Sequence, residues 1–187
     1  GVVDVITIGK KVREYQESGK RNWSMQISSS DKVVVIAKTT WDAFKGKKAL
    51  KATWKTDTPL ESTKKHDEIL NGLLDGKKFN TRRKDGNVTK AFANADKIIE
   101  RVYESPFLPH NTLEPMNFFA NVTDEKVDLV GPVQTPEAAQ SVVADLLGRD
   151  IETVFVDMTR MGGGFGRRLY GDFVYEAAEI SDKIKAF

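Results

Sequence analysis

Two rhythms of apolar positions run through the chain, one of period two and one near 3.6, and they divide it into predicted strands and helices. Val2 to Ile8 (VVDVITI) mixes β-branched residues at strand length, and Lys32 to Ala37 (KVVVIA) is a short apolar run of the buried-strand kind. Between them KKVREYQESGKRNWSMQISSSD is polar and closes on three serines, which predicts an exposed excursion rather than core. In TTWDAFKGKKALKATW, Trp41, Phe44 and Ala49 or Leu50 fall at helical spacings after Thr40, the predicted N-cap, before ALKATW turns extended.

TDTPLEST, Thr56 to Thr63, reads as a linker or domain boundary. Ser62 then caps a predicted helix whose apolar face is Ile69, Leu70, Leu73 and Leu74, with Gly76 as its stop. FNTRRKDGN is a charged loop, VTKAFANA a short helix, and KIIERVYESPF alternates as a strand would, Ile99, Arg101 and Tyr103 opposing Ile98, Glu100 and Val102. NFFANVTDEKVDLVGPV predicts two strands joined at TDEK. TPEAAQSVVADLLG follows as a helix with Thr135 as cap, Pro136 in its first turn and Gly148 at its end. ETVFVDMT is a further strand, and DFVYEAAEISDKI an amphipathic helix with Asp172 near its start.

Between that last strand and helix lies MTRMGGGFGRRLYGDF, Met158 to Phe173. Glycines let backbone N–H groups approach a ligand, and a following helix N-terminus favours anions. Yet GGGFGRR is neither GxGxxG nor GxxxxGK[ST], and no Ser or Thr stands where a P-loop needs a magnesium ligand. The pattern leaves two readings open, a close backbone approach to a bulky polar cofactor and a structural glycine turn.

Composition narrows the setting. A chain of 187 residues, 40 % hydrophobic and 30 % charged, is long enough to fold around a core and has a soluble globular balance. The net charge of +2 conceals an asymmetry: residues 1–90 hold 20 Lys+Arg against 11 Asp+Glu, and residues 91–187 hold 9 against 16. The basic part lacks interleaved aromatics, so it predicts a surface facing an acidic partner or domain, and no nucleic acid. With no cysteine, the chain offers no thiolate to an iron–sulfur cluster or zinc. His66 and His110 are far apart without a third ligand, so no direct metal site is expected. No apolar run approaches a membrane span, and the opening GVVDVITIG lacks the basic flank of a signal peptide. It begins in mid-strand, which suggests a processed or truncated piece of something longer.

ESPFLPHNTLEPMNFFANV, GPVQTPEAAQSVVADLLG and TRMGGGFGRRLYGDFVYEAA, in this order and spacing, resemble the molybdenum hydroxylases, the large subunits of the xanthine dehydrogenase and aldehyde oxidase family. Within it, FGRR and LEPMN look most like the branch containing isoquinoline 1-oxidoreductase beta subunits and bacterial aldehyde dehydrogenases. The resemblance covers roughly residues 33 to 182. It implies an α+β fold of mixed sheets with flanking helices: an α/β hammerhead portion, residues 1–58, followed by the incomplete N-terminal part of a molybdopterin-binding domain, residues 59–187.

Residue by residue, the resemblance places Gln134 where the family has a glutamine whose amide lies by an oxygen ligand of the molybdenum; the residues alone would make Gln134 a side chain bonding the next helix's N-terminus. It places Gly163, Gly164, Phe165, Gly166 and Arg167 in the segment that wraps metal and pterin. Arg167 has two open readings, a fork onto a phosphate of the pterin dinucleotide and a pair with Asp172 or Glu176. Leu169, a substrate-pocket candidate, stands where purine-oxidising members usually carry a glutamate, so an aldehyde or fused N-heterocycle is expected rather than xanthine. Glu114 is expected to order its loop with Pro115. Trp23, Trp41 and Trp54 are expected in the core or an interface.

The implied activity is oxidation of such a substrate with water as the oxygen source. The family's catalytic glutamate is expected beyond Phe187, leaving no catalytic residue in this stretch, which should be inactive alone. The implied cofactor is molybdopterin cytosine dinucleotide with molybdenum. Implied partners are a small subunit with two two-iron two-sulfur clusters and the remaining C-terminal part of the same subunit, at a periplasmic or membrane-associated bacterial location. A non-enzymatic scaffold whose basic part docks an acidic protein is the rival reading, and nucleotide binding at the glycines a third.

Overall fold

A computed structural model describes residues 1–20, 22–25, 31–55, 59–76 and 78–186. The predicted serine run at 28–30 and the start of the linker at 56–58 lie outside the described residues. Helices and sheets are mixed, as in the α+β class. By packing, the chain forms two compact units, Gly1–Lys51 with His110–Phe187, and Ala52–Pro109.

In the first unit, β1 (Val2–Ile8) pairs antiparallel with β2 (Lys32–Ala37). The intervening polar stretch is not the exposed excursion its composition predicts. It holds α1 (Lys10–Glu17) and a 3-10 turn over Trp23–Met25, which bury Val12, Tyr15 and Met25 in the main core. Val12 and Tyr15, three residues apart, share one helix face, and that sparse apolar pair was masked by the charges around it. α2 (Thr40–Ala49) lies against β2. Its cap is Thr39 rather than Thr40: the Asp42 N–H donates to the Thr39 hydroxyl at 3.1 Å.

The main core is built on a second sheet. β3 (Phe119–Val122) and β4 (Val127–Gly131) form the predicted antiparallel pair, and β5 (Val154–Met158) runs parallel to β4. The parallel pairing requires a crossover, supplied by α5 (Pro136–Leu147). Along β4, Val127, Leu129 and Gly131 are buried in strict alternation. α5 packs on β5, and α6 (Asp172–Ile184) on β3. Val142, Val143, Val154, Val174 and Ala178 close the space between sheet and helices. α5 ends on Gly148 in the left-handed region, φ 64°.

The basic first part meets the acidic last third directly. Lys11 pairs with Asp182 at 2.9 Å, Lys20 with Asp145 at 3.1 Å and Lys32 with Glu176 at 3.0 Å, while the Gly9 N–H donates to Glu179 at 3.2 Å. Part of the charge asymmetry is therefore satisfied within the unit.

In the second unit, α3 (Thr63–Leu74) is capped by Ser62 and α4 (Val88–Ala93) by Asn87. The predicted strand over KIIERVYESPF is absent: residues 97–107 have no regular structure and are exposed. An alternating pattern needs a neighbouring strand to satisfy its backbone, and no described strand lies within this unit. The apolar face of α3 is likewise open, with Leu73 and Leu74 exposed. Trp41 and Trp54 are exposed and Trp23 is half-exposed against Tyr170, so of the two places expected for these rings, core or interface, the core is excluded.

Candidate functional site

β5 delivers the chain to the glycine loop, and α6 takes it away through a 3-10 turn at Arg167–Leu169. Within the loop the backbone repeatedly adopts positive φ, at Gly163 (101°), Phe165 (47°) and Gly166 (80°). Left-handed conformation costs a side-chain-bearing residue about 1–2 kcal/mol, yet Phe165 holds it while 72 % exposed as a residue. Strain of this kind at an exposed aromatic points toward a functional surface rather than a packing need.

Close approach dictates the glycines as much as φ does. A Cβ on Gly164 would stand 2.8 Å from Gln134 Oε1, and one on Gly163 would stand 2.8 Å from the Phe165 ring. The loop backbone thus lies directly against the Gln134 amide. Among the described residues, the N–H groups of Gly163, Gly164, Phe165 and Gly166 and the Gln134 side chain have no hydrogen-bond partner. His110 Nδ1 is 3.3 Å from the place a Gly166 Cβ would take.

Both arginines of the GRR stretch are engaged. Arg167 forks onto Asp172 with two bonds of 2.7 Å, at the first turn of α6, where a carboxylate also suits the helix dipole. This is the second of the two partners its sequence offered. Asp172 holds the guanidinium still more firmly protonated than usual, and Arg167 also lies 5.8 Å from the centre of the Phe173 ring.

Arg168 is fully buried, which sequence reasoning missed. Its Nε donates to the Gly163 carbonyl at 3.0 Å, one terminal nitrogen to the Pro132 carbonyl at 3.4 Å, and the other to the Glu114 carbonyl at 2.9 Å. That last nitrogen also lies 3.2 Å from the Glu114 carboxylate. Nothing in a doublet of arginines tells which one turns inward; only the direction of the loop's exit does.

Glu114 orders its loop, as expected, and reaches further than its own segment. Its carboxylate accepts from the Gly162 N–H at 2.6 Å and from the Asn117 amide at 2.9 Å. Those bonds, with Arg168 behind them, hold its carboxyl below the usual range. Thr135 occupies the cap position of α5 without capping it. Its hydroxyl donates instead to the Leu169 carbonyl at 2.8 Å, fastening the loop exit to the helix start. Gln134 N–H does the same through the Arg168 carbonyl at 2.9 Å.

The structure thus gathers Gln134, Gly163, Gly164, Phe165, Gly166, Arg167 and Leu169 around one loop. His66 pairs with Glu61 at 2.7 Å within the second unit. Among the described residues no three His, Cys, Asp or Glu side chains cluster as metal ligands, and no helix is long and apolar enough to cross a membrane.

The donors suit a neutral, planar, polar-edged group. Bare backbone admits a ring system without steric conflict, and unpaired N–H groups and an amide can satisfy its edge. A phosphate would find both guanidiniums of the GRR stretch already taken.

Residues 73–180 match the family model of the molybdopterin cofactor-binding domain, more than half of the chain and all of this loop. Among curated proteins, the chain is similar to a membrane-bound aldehyde dehydrogenase (pyrroloquinoline-quinone) of Gluconacetobacter polyoxogenes, 31 % identical over 80 % of this chain and 20 % of that protein. It is similar to aldehyde oxidase 2 of Rattus norvegicus, 25 % identical over 99 % of this chain and 14 % of the relative. It also resembles xanthine dehydrogenase of Dictyostelium discoideum, 31 % identical over 44 % of this chain and 6 % of that enzyme. The chain spans a fifth or less of each relative.

Proposed function

Since more than half of its length matches that family model, the chain belongs to the molybdopterin cofactor-binding domain family, and from this premise we propose that it is the cofactor-cradling segment of a molybdenum hydroxylase large subunit. The observation that carries the reading is the strip of unpaired N–H groups at Gly163–Gly166 laid against the Gln134 amide.

In this reading the loop N–H groups bind the polar edge of a molybdenum pterin, and Gln134 presents a neutral amide beside it. Phe165 lays its ring beside Gly163, at the edge of the strip. Arg167 anchors the loop to α6 through Asp172, and Leu169 lines the approach of the substrate. When bound, the cofactor supplies two-electron redox chemistry. The substrate is an aldehyde or an N-heterocyclic aromatic, with water as the oxygen source. The apolar Leu169 supports this choice, because it offers no hydrogen bond to orient a purine. Residues 1–58 form the hammerhead portion of the same subunit.

We take the electron path to run through a partner subunit carrying two two-iron two-sulfur clusters, since these 187 residues themselves offer no thiolate to a cluster. We take the cofactor as the cytosine dinucleotide form, the location as periplasmic or membrane-associated, and the 187-residue stretch alone as inactive.

The test uses the full-length enzyme purified from a host with an intact pterin pathway. Metal analysis should find molybdenum, acid hydrolysis should release CMP, and a substrate panel should show turnover of aldehydes or isoquinoline with little on xanthine. Absence of molybdenum would refute the reading in favour of a non-enzymatic binding module. CMP replaced by another nucleotide, or none, would refute only the cofactor form.

A further inference from the structure

We propose that Arg168 is a positioning residue: its buried guanidinium, joined to Glu114, sets the separation between the glycine loop and Gln134 on which retention of the molybdenum pterin depends. The inference rests on the function proposed above. It concerns a residue that touches no part of the cradle's open face.

A buried charge is costly unless its donors are used, and here they are used on both walls of the cradle. One edge of the guanidinium holds Gly163 at 3.0 Å and the other holds Pro132, two residues before Gln134, at 3.4 Å. The backbone closes the circuit, because the Gln134 N–H returns to the Arg168 carbonyl at 2.9 Å. Behind it, Glu114 receives the guanidinium at 3.2 Å and the Gly162 N–H at 2.6 Å. The two sides of the strip, Gly162–Gly163 and Pro132–Gln134, are therefore joined through one rigid planar group.

A planar fork is what such a join needs. Arginine presents five N–H donors in fixed directions, whereas lysine offers a point charge on a flexible stem. Lysine can neutralise Glu114 but cannot span Gly163 and Pro132 together. The charge and the geometry are thus separable by one substitution.

The experiment uses the full-length enzyme carrying Arg168→Lys, Glu114→Gln or Arg149→Lys. Arg149 serves as control, since its guanidinium bonds the Thr123 and Asp124 carbonyls in the β3–β4 turn. Molybdenum per subunit and released pterin are measured beside circular dichroism and the melting curve. Arg168→Lys should keep the wild-type spectrum and a cooperative melt while cofactor affinity falls about 10-fold to 100-fold, the range seen when outer supports of a metal site are lost. Glu114→Gln should fall in the same direction, and Arg149→Lys should match wild type. Full occupancy in folded Arg168→Lys, or a loss no larger than the loss of folded protein, overturns the inference. If Arg168→Lys does not fold, Glu114→Gln decides: its carboxylate is 31 % exposed, and full occupancy there overturns the inference equally. Wild-type enzyme without molybdenum overturns the functional reading itself, an outcome distinct from either.

Discussion

Gly164→Ala separates the cradle from the fold that carries it. Gly164 does not occupy positive φ, so alanine introduces no left-handed strain. The new Cβ would meet Gln134 Oε1 at 2.8 Å and Cδ at 3.0 Å, the free end of an exposed side chain. To reach ordinary contact at 3.4 Å the amide must withdraw by roughly 0.6 Å. Stability should change by no more than about 0.5 kcal/mol, under about 2 °C in melting temperature for a chain of this size. A 1 Å misplacement at a reacting centre can cost about 100-fold, so a shift near 0.6 Å should lower kcat/KM of the full-length enzyme about 10-fold. Gly163→Ala is the counterpart. At φ 101°, with the Phe165 ring 2.8 Å away, it should destabilise by about 1–2 kcal/mol. Thermal melts and steady-state kinetics on both variants check the pair. Wild-type kcat/KM and molybdenum content in Gly164→Ala would refute the claim that Gln134 and the loop backbone act as one surface. A large melting loss in that variant would refute the local geometry.

Three further outcomes follow from individual contacts. Tyr175→Phe should leave stability unchanged or raise it by up to about 1–2 kcal/mol, because the Tyr175 hydroxyl is buried with no hydrogen-bond partner among the described residues and burial pushes its ionisation well up; a fall of 1 kcal/mol in urea denaturation would contradict this. Asp172→Asn should cost about 1.5–3 kcal/mol, the worth of bonds to a charged partner, since it ends the fork from Arg167 at a site where Asp172 is only 10 % exposed; an effect under about 0.5 kcal/mol would show the pair to be idle. Glu114, held below the ordinary carboxylate value of 4.5 first by Gly162 and then by Asn117 and Arg168, contributes fully above that value and loses its contribution as pH falls through the lowered one. The protection factor of the Gly162 amide, its exchange taken relative to the unstructured rate at each pH, should therefore fall in acid, and Glu114→Gln should remove that acid dependence; an unchanged pH profile in the variant would count against the assignment.

Strong local signals were legible where one segment suffices to define an element. β4, α5 and β5 follow from alternation, a proline in the first turn and a terminal glycine, all carried within a few residues. Cap positions were legible to within a residue, since Ser62 presents the required oxygen and Thr39 and Thr40 are chemically equivalent neighbours, but that Thr135 spends its hydroxyl on Leu169 was not. The KIIERVYESPF stretch shows the limit from the other side. Its alternation is correct for a strand, but pairing is a property of two segments, and no strand is present among the described residues of its unit.

At the candidate site the division is similar. Local order sufficed to place a glycine turn between a strand and a helix; it took the family resemblance to single out Gln134, Gly163, Gly164, Phe165, Gly166 and Arg167 within and beside it. It could not assign the two arginines, because Arg167 and Arg168 differ only in the direction each leaves a 3-10 turn. Nor could it bring Glu114 to Gly162, or Pro132 to Arg168, across separations of 48 and 36 residues. Patterning is a short-range property of the chain, so it yields elements and candidate groups. Which cation is buried, which N–H groups stay unpaired, and how far a loop lies from an amide depend on packing between distant segments, and only the folded chain fixes those distances.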